Sequence, residues 1–317
     1  MRKALRSGVL AFLGLAATAA PVLASAAAAP AASAAPTHAA SHHYVPGLYH
    51  EPVIGKHVLP GLGSYLGLGD NSVRHATAVS SSNWSGYADV SETYNSVSAS
   101  WTEPTVNCSS GTLLGSLGSG LLGGLSAGSL GTVGTSLLGG PSAAAAFWVG
   151  LDGYNSSSVE QLGTDSDCDG STPTYYAWYE MYPNPSEDLS NPVSPGDSLT
   201  ASVVTSGSDY TLSIKDNTKG WSYSTTQSGD FDRSSAEVIA EAPEECTEIL
   251  CSEIPLADFG QVNFTGSAVS DSSGTSGGLS AFPADEITMA SSTGTTEATP
   301  SSLNDAGADF SVTWNNS

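Results

Sequence analysis

Positive charge is what this chain has least of. It carries 8 lysines and arginines against 31 aspartates and glutamates, a formal net charge of −23. Beyond residue 80 only Lys215, Lys219 and Arg233 are basic, and no histidine occurs there. All six histidines (His38, His42, His43, His50, His57 and His75) lie upstream. So acidic a body repels nucleic acid and anionic lipid, and neither is expected as a partner. Its carboxylates have few cations to pair with. They repel one another at neutral pH, and many lose their charge at about pH 3 to 4. A protein working in acid is therefore expected. The missing histidines exclude Ser-His-Asp and Cys-His nucleophilic machinery from the body. No Asp-Thr-Gly or Asp-Ser-Gly tripeptide occurs, which disfavours a pepsin-like pair of aspartates. Long apolar runs are missing downstream of the N-terminal stretch, and so is helical periodicity.

The N-terminus has the three parts of a secretory signal peptide, expected over residues 1–26. Arg2, Lys3 and Arg6 are basic, Val9 to Ala17 is apolar, and Ala24-Ser25-Ala26 is a small-residue cleavage pattern. Residues 27–79 are rich in Ala, Pro and then His, a composition that cannot bury a core, and read as a pro-segment. Its histidines are cationic below about pH 6, so it is expected to dock over an anionic body and to be removed near His75 to Ser81. From residue 80 to 317 the pattern becomes alternating Ser, Thr, Val, Tyr and Trp with Gly, Pro, Asn and Asp turns, enough for one all-β domain. Cys108, Cys168, Cys246 and Cys251 are even in number behind a signal peptide, which makes disulfides the default. The pairing Cys108–Cys168 with Cys246–Cys251 is preferred, and the other two pairings stay open. Residues 109–140 form a Gly/Leu/Ser insertion. Its Gly118-x-Gly120-x-x-Gly123 lacks the strand and helix that a dinucleotide fingerprint needs.

Within the body, residues 143–182 carry the densest chemistry. Phe147 to Asp152, Val159 to Asp165 and Tyr175 to Tyr182 read as three strands. On a period of two, Trp148 shares a face with Asp152, Gln161 with Asp165, and Trp178 with Glu180 and Tyr182. Each strand sets a carboxylate beside an aromatic or an amide, which suggests the floor of a cleft. Further strands are expected over Pro195 to Val204, Tyr210 to Asp216, Trp221 to Gln227, Ser235 to Glu241, Phe259 to Phe264, Ala281 to Met289 and Phe310 to Trp314. Together they make a two-sheet sandwich. Gly196-Asp197-Ser198-Leu199 looks like an esterase signature but has no base. Asp165-Ser-Asp167-Cys-Asp169-Gly170 resembles half a calcium loop but has Tyr176 where the loop needs Glu. Carboxylate chemistry remains, as general acid and base, with an amide to support it.

Five segments in order, SNWSGY (82–87), FWVGLDG (147–153), VEQLG (159–163), YAWYEMYP (176–183) and AEVIAE (236–241), together resemble the glutamic peptidases, or eqolisins. The resemblance implies an antiparallel β-sandwich of two seven-stranded sheets, concanavalin A-like (lectin- or glucanase-like), with substrate lying across a concave face. It implies Gln161 and Glu241 as a catalytic dyad, and Trp84, Trp148, Asp152, Asp165, Trp178, Glu180 and Tyr182 lining or supporting the cleft. Glu241, ionised in the free enzyme at acid pH, would take a proton from water while Gln161 stabilises the oxyanion. The resemblance thus implies a secreted, monomeric acid endopeptidase acting on protein or peptide substrates, with no metal or other cofactor. This chain departs from the family in placing Ala242 and Pro243 after Glu241. The alternative from another class is a carbohydrate-binding sandwich, or a glycosidase using Glu180 and Glu241 as paired carboxylates.

Overall fold

A computed structural model describes residues 47–50, 77–108, 141–246, 251–304 and 306–317. The expected signal peptide, most of the expected pro-segment and the 109–140 insertion lie outside the described residues. In chain order the strands are β1 (Gly47–Tyr49), β2 (Ala78–Ser81), β3 (Trp84–Asp89), β4 (Tyr94–Thr102), β5 (Ala143–Asp152), β6 (Val159–Asp169) and β7 (Thr172–Tyr182). Then come β8 (Glu187–Pro192), β9 (Ser198–Ser206), β10 (Asp209–Asp216), β11 (Ser222–Ser228), β12 (Ala236–Glu241), β13 (Glu244–Cys246) and β14 (Cys251–Glu253). The last are β15 (Gln261–Asp271), β16 (Ser276–Gly277), β17 (Ala284–Ala290), β18 (Thr296–Pro300) and β19 (Phe310–Trp314). A single 3-10 turn, Leu279–Ala281, is the one helical piece among the described residues. No helix there is long and apolar enough to cross a membrane.

One hydrogen-bonded path runs β11-β10-β9-β4-β15-β19-β18-β17-β3-β12-β5-β6-β7-β8. It bends back on itself, so that Val97, Ala99 and Trp101 of β4, Leu199 of β9 and Leu212 of β10 share a core with Phe147 and Val149 of β5, Leu162 of β6 and Val238 of β12. The expected antiparallel sandwich is present, with its two layers joined through β17, β18 and β19 into one ladder. A second apolar cluster lies on the other face of the second layer: Trp84, Trp148, Trp178, Ile239 and Ile287. This explains why β3, β5 and β12 are buried at every or nearly every position. Each has the core on one side and the floor of a cleft on the other.

Several expected strands are longer in the structure. β5 begins at Ala143, and β6 continues to Asp169. The half calcium loop is therefore ladder, with Asp165 and Asp167 both accepting from the Tyr176 hydroxyl. β8 and β18 were not anticipated: β8 is mostly exposed, and β18 is short and buries only Ala298 and Pro300. β8 reads EDLSNP and is an exposed edge. Both preferred disulfides, Cys108–Cys168 and Cys246–Cys251, are formed.

The layers are also held by a buried acid. Glu103 follows β4 and accepts from Thr164 Oγ1 (2.6 Å) and Ser166 Oγ (2.7 Å) on β6, and the Trp101 indole donates to Thr164 at 3.1 Å. Burial raises the Glu103 carboxyl to about 7 despite those donors. Burial likewise lifts Asp89 to about 8, with Asp285 adding repulsion, and both Asp89 carboxyl oxygens lack a partner. Burial and the neighbouring Asp152 lift Glu160 to about 10. Cations offer little relief. Lys219 pairs with Asp197 at 2.6 Å near the surface, away from these acids. Each of these acids titrates higher in the folded than in the unfolded chain, where it would titrate near 4. The folded state therefore binds more protons, and the resulting stability is complete below about pH 4 and is lost as pH rises through about 7 to 10. Thermal melts should give a higher Tm at pH 4 than at pH 8, and a maximum at neutral pH would contradict this.

Candidate active site

The cleft is a grid laid out by strand register. Residues paired across antiparallel strands sit side by side on one face, and three rows run across β12, β5, β6 and β7. The first is Glu241, Ala146, Asp165 and Tyr176. The second is Ile239, Trp148, Gly163 and Trp178, and the third is Glu237, Gly150, Gln161 and Glu180. Trp84 of β3 pairs with Glu241 and extends the first row. Two glycines make room on this face, Gly150 for the Trp148 ring and Gly163 for the close approach of β5. A Cβ on Gly163 would come 2.2 Å from the Phe147 carbonyl oxygen and 2.6 Å from Trp148 Cβ. One on Gly150 would meet the Trp148 ring at 2.9 Å.

Trp148 links the two ends of the grid. Its ring covers Gly150 beside Gln161, and its indole N–H donates to Glu241 Oε2 at 2.7 Å. Asn83 Nδ2 donates to the other Glu241 oxygen at 3.3 Å. The Trp84 ring packs edge-on against Trp148, with centroids 4.9 Å apart. Its N–H makes no hydrogen bond but lies close enough to favour the Glu241 anion slightly. Against these donors, complete burial and then the charge of Glu180 push the Glu241 carboxyl well above the usual range. In this filled cleft the neutral form of Glu241 is favoured; the ionised Glu241 expected from the sequence is that of the free enzyme, with the cleft open.

The filling comes from the chain itself. Of the six histidines, His50 is the one within the described residues, and it is fully buried in the cleft. Its carbonyl accepts from Gln161 Nε2 at 2.7 Å, and the same nitrogen donates to Glu180 Oε2 at 2.8 Å. A carbonyl cannot donate, so the amide orientation of Gln161 is fixed by its partners. The His50 N–H donates to Glu180 Oε2 at 3.1 Å. Its ring stacks on Trp178, centroids 3.5 Å apart and planes 5° apart. Trp178 Nε1 and the Tyr176 hydroxyl both donate to Asp165, yet burial still raises that carboxyl to about 8. Glu180 is also raised by burial, with His50 and Gln161 pulling the other way.

The structure thus brings Gln161, Glu241, Trp84, Trp148, Asp165, Trp178 and Glu180 to one face. Tyr182 stands at the rim, edge-on to Tyr49. Asp152 is placed elsewhere. At φ 70° it leaves the strand and accepts from the backbone N–H groups of Arg233 and Ser234 at 2.6 and 2.7 Å, pinning the entry to β12. Sequence reasoning missed Asn83, Tyr176 and His50. Asn83 adjoins Trp84 within SNWSGY, which was its signal; His50 had none beyond the histidine cluster. Glu244, Cys246 and Cys251 converge closely enough to suggest metal ligands, but both sulfurs are used in their disulfide.

This geometry can be compared with known proteins. The description of the Peptidase A4 family matches residues 82–314. The chain belongs to that family, the eqolisins. It is accordingly a peptidase of the glutamic type. Over 212 residues it is 32% identical to aspergillopepsin-2 of Aspergillus niger, covering 66% of this chain and 70% of that one. Over 136 residues it is 38% identical to scytalidopepsin B of Scytalidium lignicola, covering 40% of this chain and 51% of the other. Among solved structures it is similar to scytalido-glutamic peptidase with a transition state analog inhibitor, at TM-score 0.58 and 28% identity, covering 74% of this chain and 98% of that one. It is also similar to the eqolisin SCP-B in complex with the tripeptide Ala-Ile-His, at TM-score 0.53 and 25% identity with the same coverage.

The Trp148 contact can be tested separately from the fold. Trp148→Phe keeps the ring over Gly150 and removes the N–H to Glu241, a bond to a carboxylate worth about 1.5 to 3 kcal/mol. We expect kcat for protein hydrolysis to fall roughly tenfold to a hundredfold, with Tm changed by only a few degrees. Gly163→Ala should instead lower Tm sharply, because the Phe147 carbonyl and the Trp148 Cβ block the added methyl. Equal behaviour of the two variants in activity and melting assays would refute this division of roles.

Proposed function

We propose that this protein is a secreted, monomeric acid endopeptidase that hydrolyses protein or peptide substrates through Gln161 and Glu241. The observation that carries the reading is the Gln161 amide donating at 2.7 Å to a peptide carbonyl lying across the cleft. That carbonyl is where a scissile one would sit, and an amide N–H so placed stabilises the oxyanion formed on attack, typically worth about 10² to 10³ in rate. Glu180 orients the amide by accepting its other hydrogen. Glu241, reached through Trp148, is the base. It takes a proton from a water that attacks the carbonyl carbon, and returns it to the leaving amine as the C–N bond breaks. No covalent intermediate forms.

The state of Glu241 fits this role once the cleft is open. Beneath the pro-segment its carboxyl is held protonated by burial, and a protonated carboxyl is no base. Water entering the vacated cleft removes most of that desolvation. The Trp148 and Asn83 donors then favour the anion at acid pH. The leader and the two disulfides support secretion. The glycosidase reading gives Gln161 no defined task, whereas here the amide meets a peptide group.

Glu241→Gln and Gln161→Ala should each abolish casein hydrolysis at pH 3 to 4 while leaving Tm and the far-ultraviolet dichroism intact. Wild-type-like activity in either variant would sink the dyad, and binding or cleavage of glycans in place of casein would favour the alternative class.

A further inference from the structure

The Glu241 carboxyl is held at both oxygens, and the second hold is built with care. Trp148 Nε1 donates to Oε2 at 2.7 Å, and Asn83 Nδ2 donates to Oε1 at 3.3 Å. Asn83 directly precedes β3. Its carbonyl accepts from the Ala242 N–H at 2.9 Å, one step beyond the last ladder pair of β3 and β12, Trp84 with Glu241. One buried residue thus grips the backbone after Glu241 with its main chain and the carboxyl with its side chain.

An asparagine amide serves an anion only when its nitrogen points that way, since its oxygen end repels one. Ser81 decides the direction. The Ser81 hydroxyl oxygen accepts from the backbone N–H groups of Asn83 at 3.2 Å and Trp84 at 3.0 Å. With both lone pairs taken, its single proton goes to Asn83 Oδ1 at 3.1 Å. The amide oxygen is therefore turned to Ser81 and the nitrogen to Glu241, which fixes the orientation from the network of partners. Ser81 is itself fixed at the end of β2, where it pairs with Met289 of β17. Ser81 and Asn83 are both buried, so water competes little for these bonds.

The charged surroundings of Glu241 oppose its ionisation. Glu180 from β7 and Asp165 from β6 are the acids that face it. His50 of the N-terminal segment lies 3.3 Å from each of those two. β3 and β5 set Trp84 and Ala146 beside Glu241 in register, and neither titrates. What favours the anion is a set of neutral N–H donors: Trp148, Trp84 close by, and Asn83.

We propose that Asn83, its amide turned by Ser81, is a positioning residue for hydrolysis: it keeps the Glu241 carboxylate ionised and fixed in orientation, and so extends activity to lower pH. The inference rests on the peptidase reading above, in which Glu241 is the base, and goes beyond it to what sets the acid limit. Asn83 acts through Glu241, and Ser81 acts through Asn83.

Initial rates of labelled-casein cleavage at low substrate, which follow kcat/KM, are measured across about pH 2 to 5, where the fall toward low pH reports protonation of the base. The wild-type protein is compared with Asn83→Ala, which leaves the space empty, Asn83→Leu, which fills it, and Ser81→Ala. Glu241→Gln is the inactive reference, and circular dichroism and Tm follow the fold. Without the donor the carboxylate takes its proton more readily, so the acid limb should move up by about half a pH unit or more in both Asn83 variants, roughly a threefold loss of rate below the limb. Ser81→Ala should move it the same way by a smaller amount. A merely structural role would lower Tm, or scale the rate alike at every pH, and leave the limb in place. An unmoved limb in whichever Asn83 variant folds overturns the proposal, whatever happens to Tm. A limb that moves in the Asn83 variants but not in Ser81→Ala overturns the part given to Ser81. Wild-type protein that cuts no casein, or Glu241→Gln that cuts it as the wild type does, overturns the peptidase reading instead.

Discussion

A carboxylate moved out of water without a partner loses several kcal/mol of solvation, and this chain buries many of them while having almost no cations to set beside them. Asp89, Glu103, Glu160, Asp165, Glu180, Glu237 and Glu241 are all essentially inaccessible to solvent. Protons take the part that lysine and arginine play elsewhere. A neutral carboxyl can accept and donate, so Glu103 can join β4 to β6 through hydroxyl groups and sit in the core without a counter-ion. Acidity is thus part of the fold. The same constraint governs the cleft, where Asp165, Glu180 and Glu241 crowd one sheet face, burial raises all three, and the charges of Glu180 and Asp165 add to the shift at Glu241.

The cleft inherits its order from the ladder beneath it. Antiparallel register sets Gln161 beside Glu180 and Asp165 two strands from Glu241. Gly150 and Gly163 then leave room for Trp148, and that ring spans the interval the register leaves between Gln161 and Glu241. The proposed catalytic pair therefore has no need of a direct bond. The gap between them is where a water and a peptide group belong, and the His50 carbonyl fills it on the Gln161 side.

Much of this was legible in the residues. Period-two spacing put Trp148, Gln161, Asp165, Trp178 and Glu180 on one face, because strands in a half-buried sheet leave that signature. What it missed has physical reasons. β8 is polar on both sides because it is an edge, and edges carry no alternation. Asp152 looked like a cleft residue by parity, but its positive φ turns it out of the strand to hold the backbone at Arg233 and Ser234. Parity assumes an unbroken strand. The ionisation of Glu241 could not be read from residue type at all, since it depends on what lies over it. His50 belongs to a segment whose composition says only that it cannot fold alone, and its place is set by a pocket assembled from β6 and β7.

Protons stand in for the missing cations, so the folded chain binds more of them than the unfolded one. Unfolding the protein with urea in weakly buffered solution at pH 6, with the released acid measured by pH-stat, tests this most directly. At that pH an unfolded carboxyl, with an ordinary pKa near 4, gives up its proton. Net release of several protons per chain is expected at pH 6, and progressively less toward pH 3. No release, or net uptake, at pH 6 would contradict it.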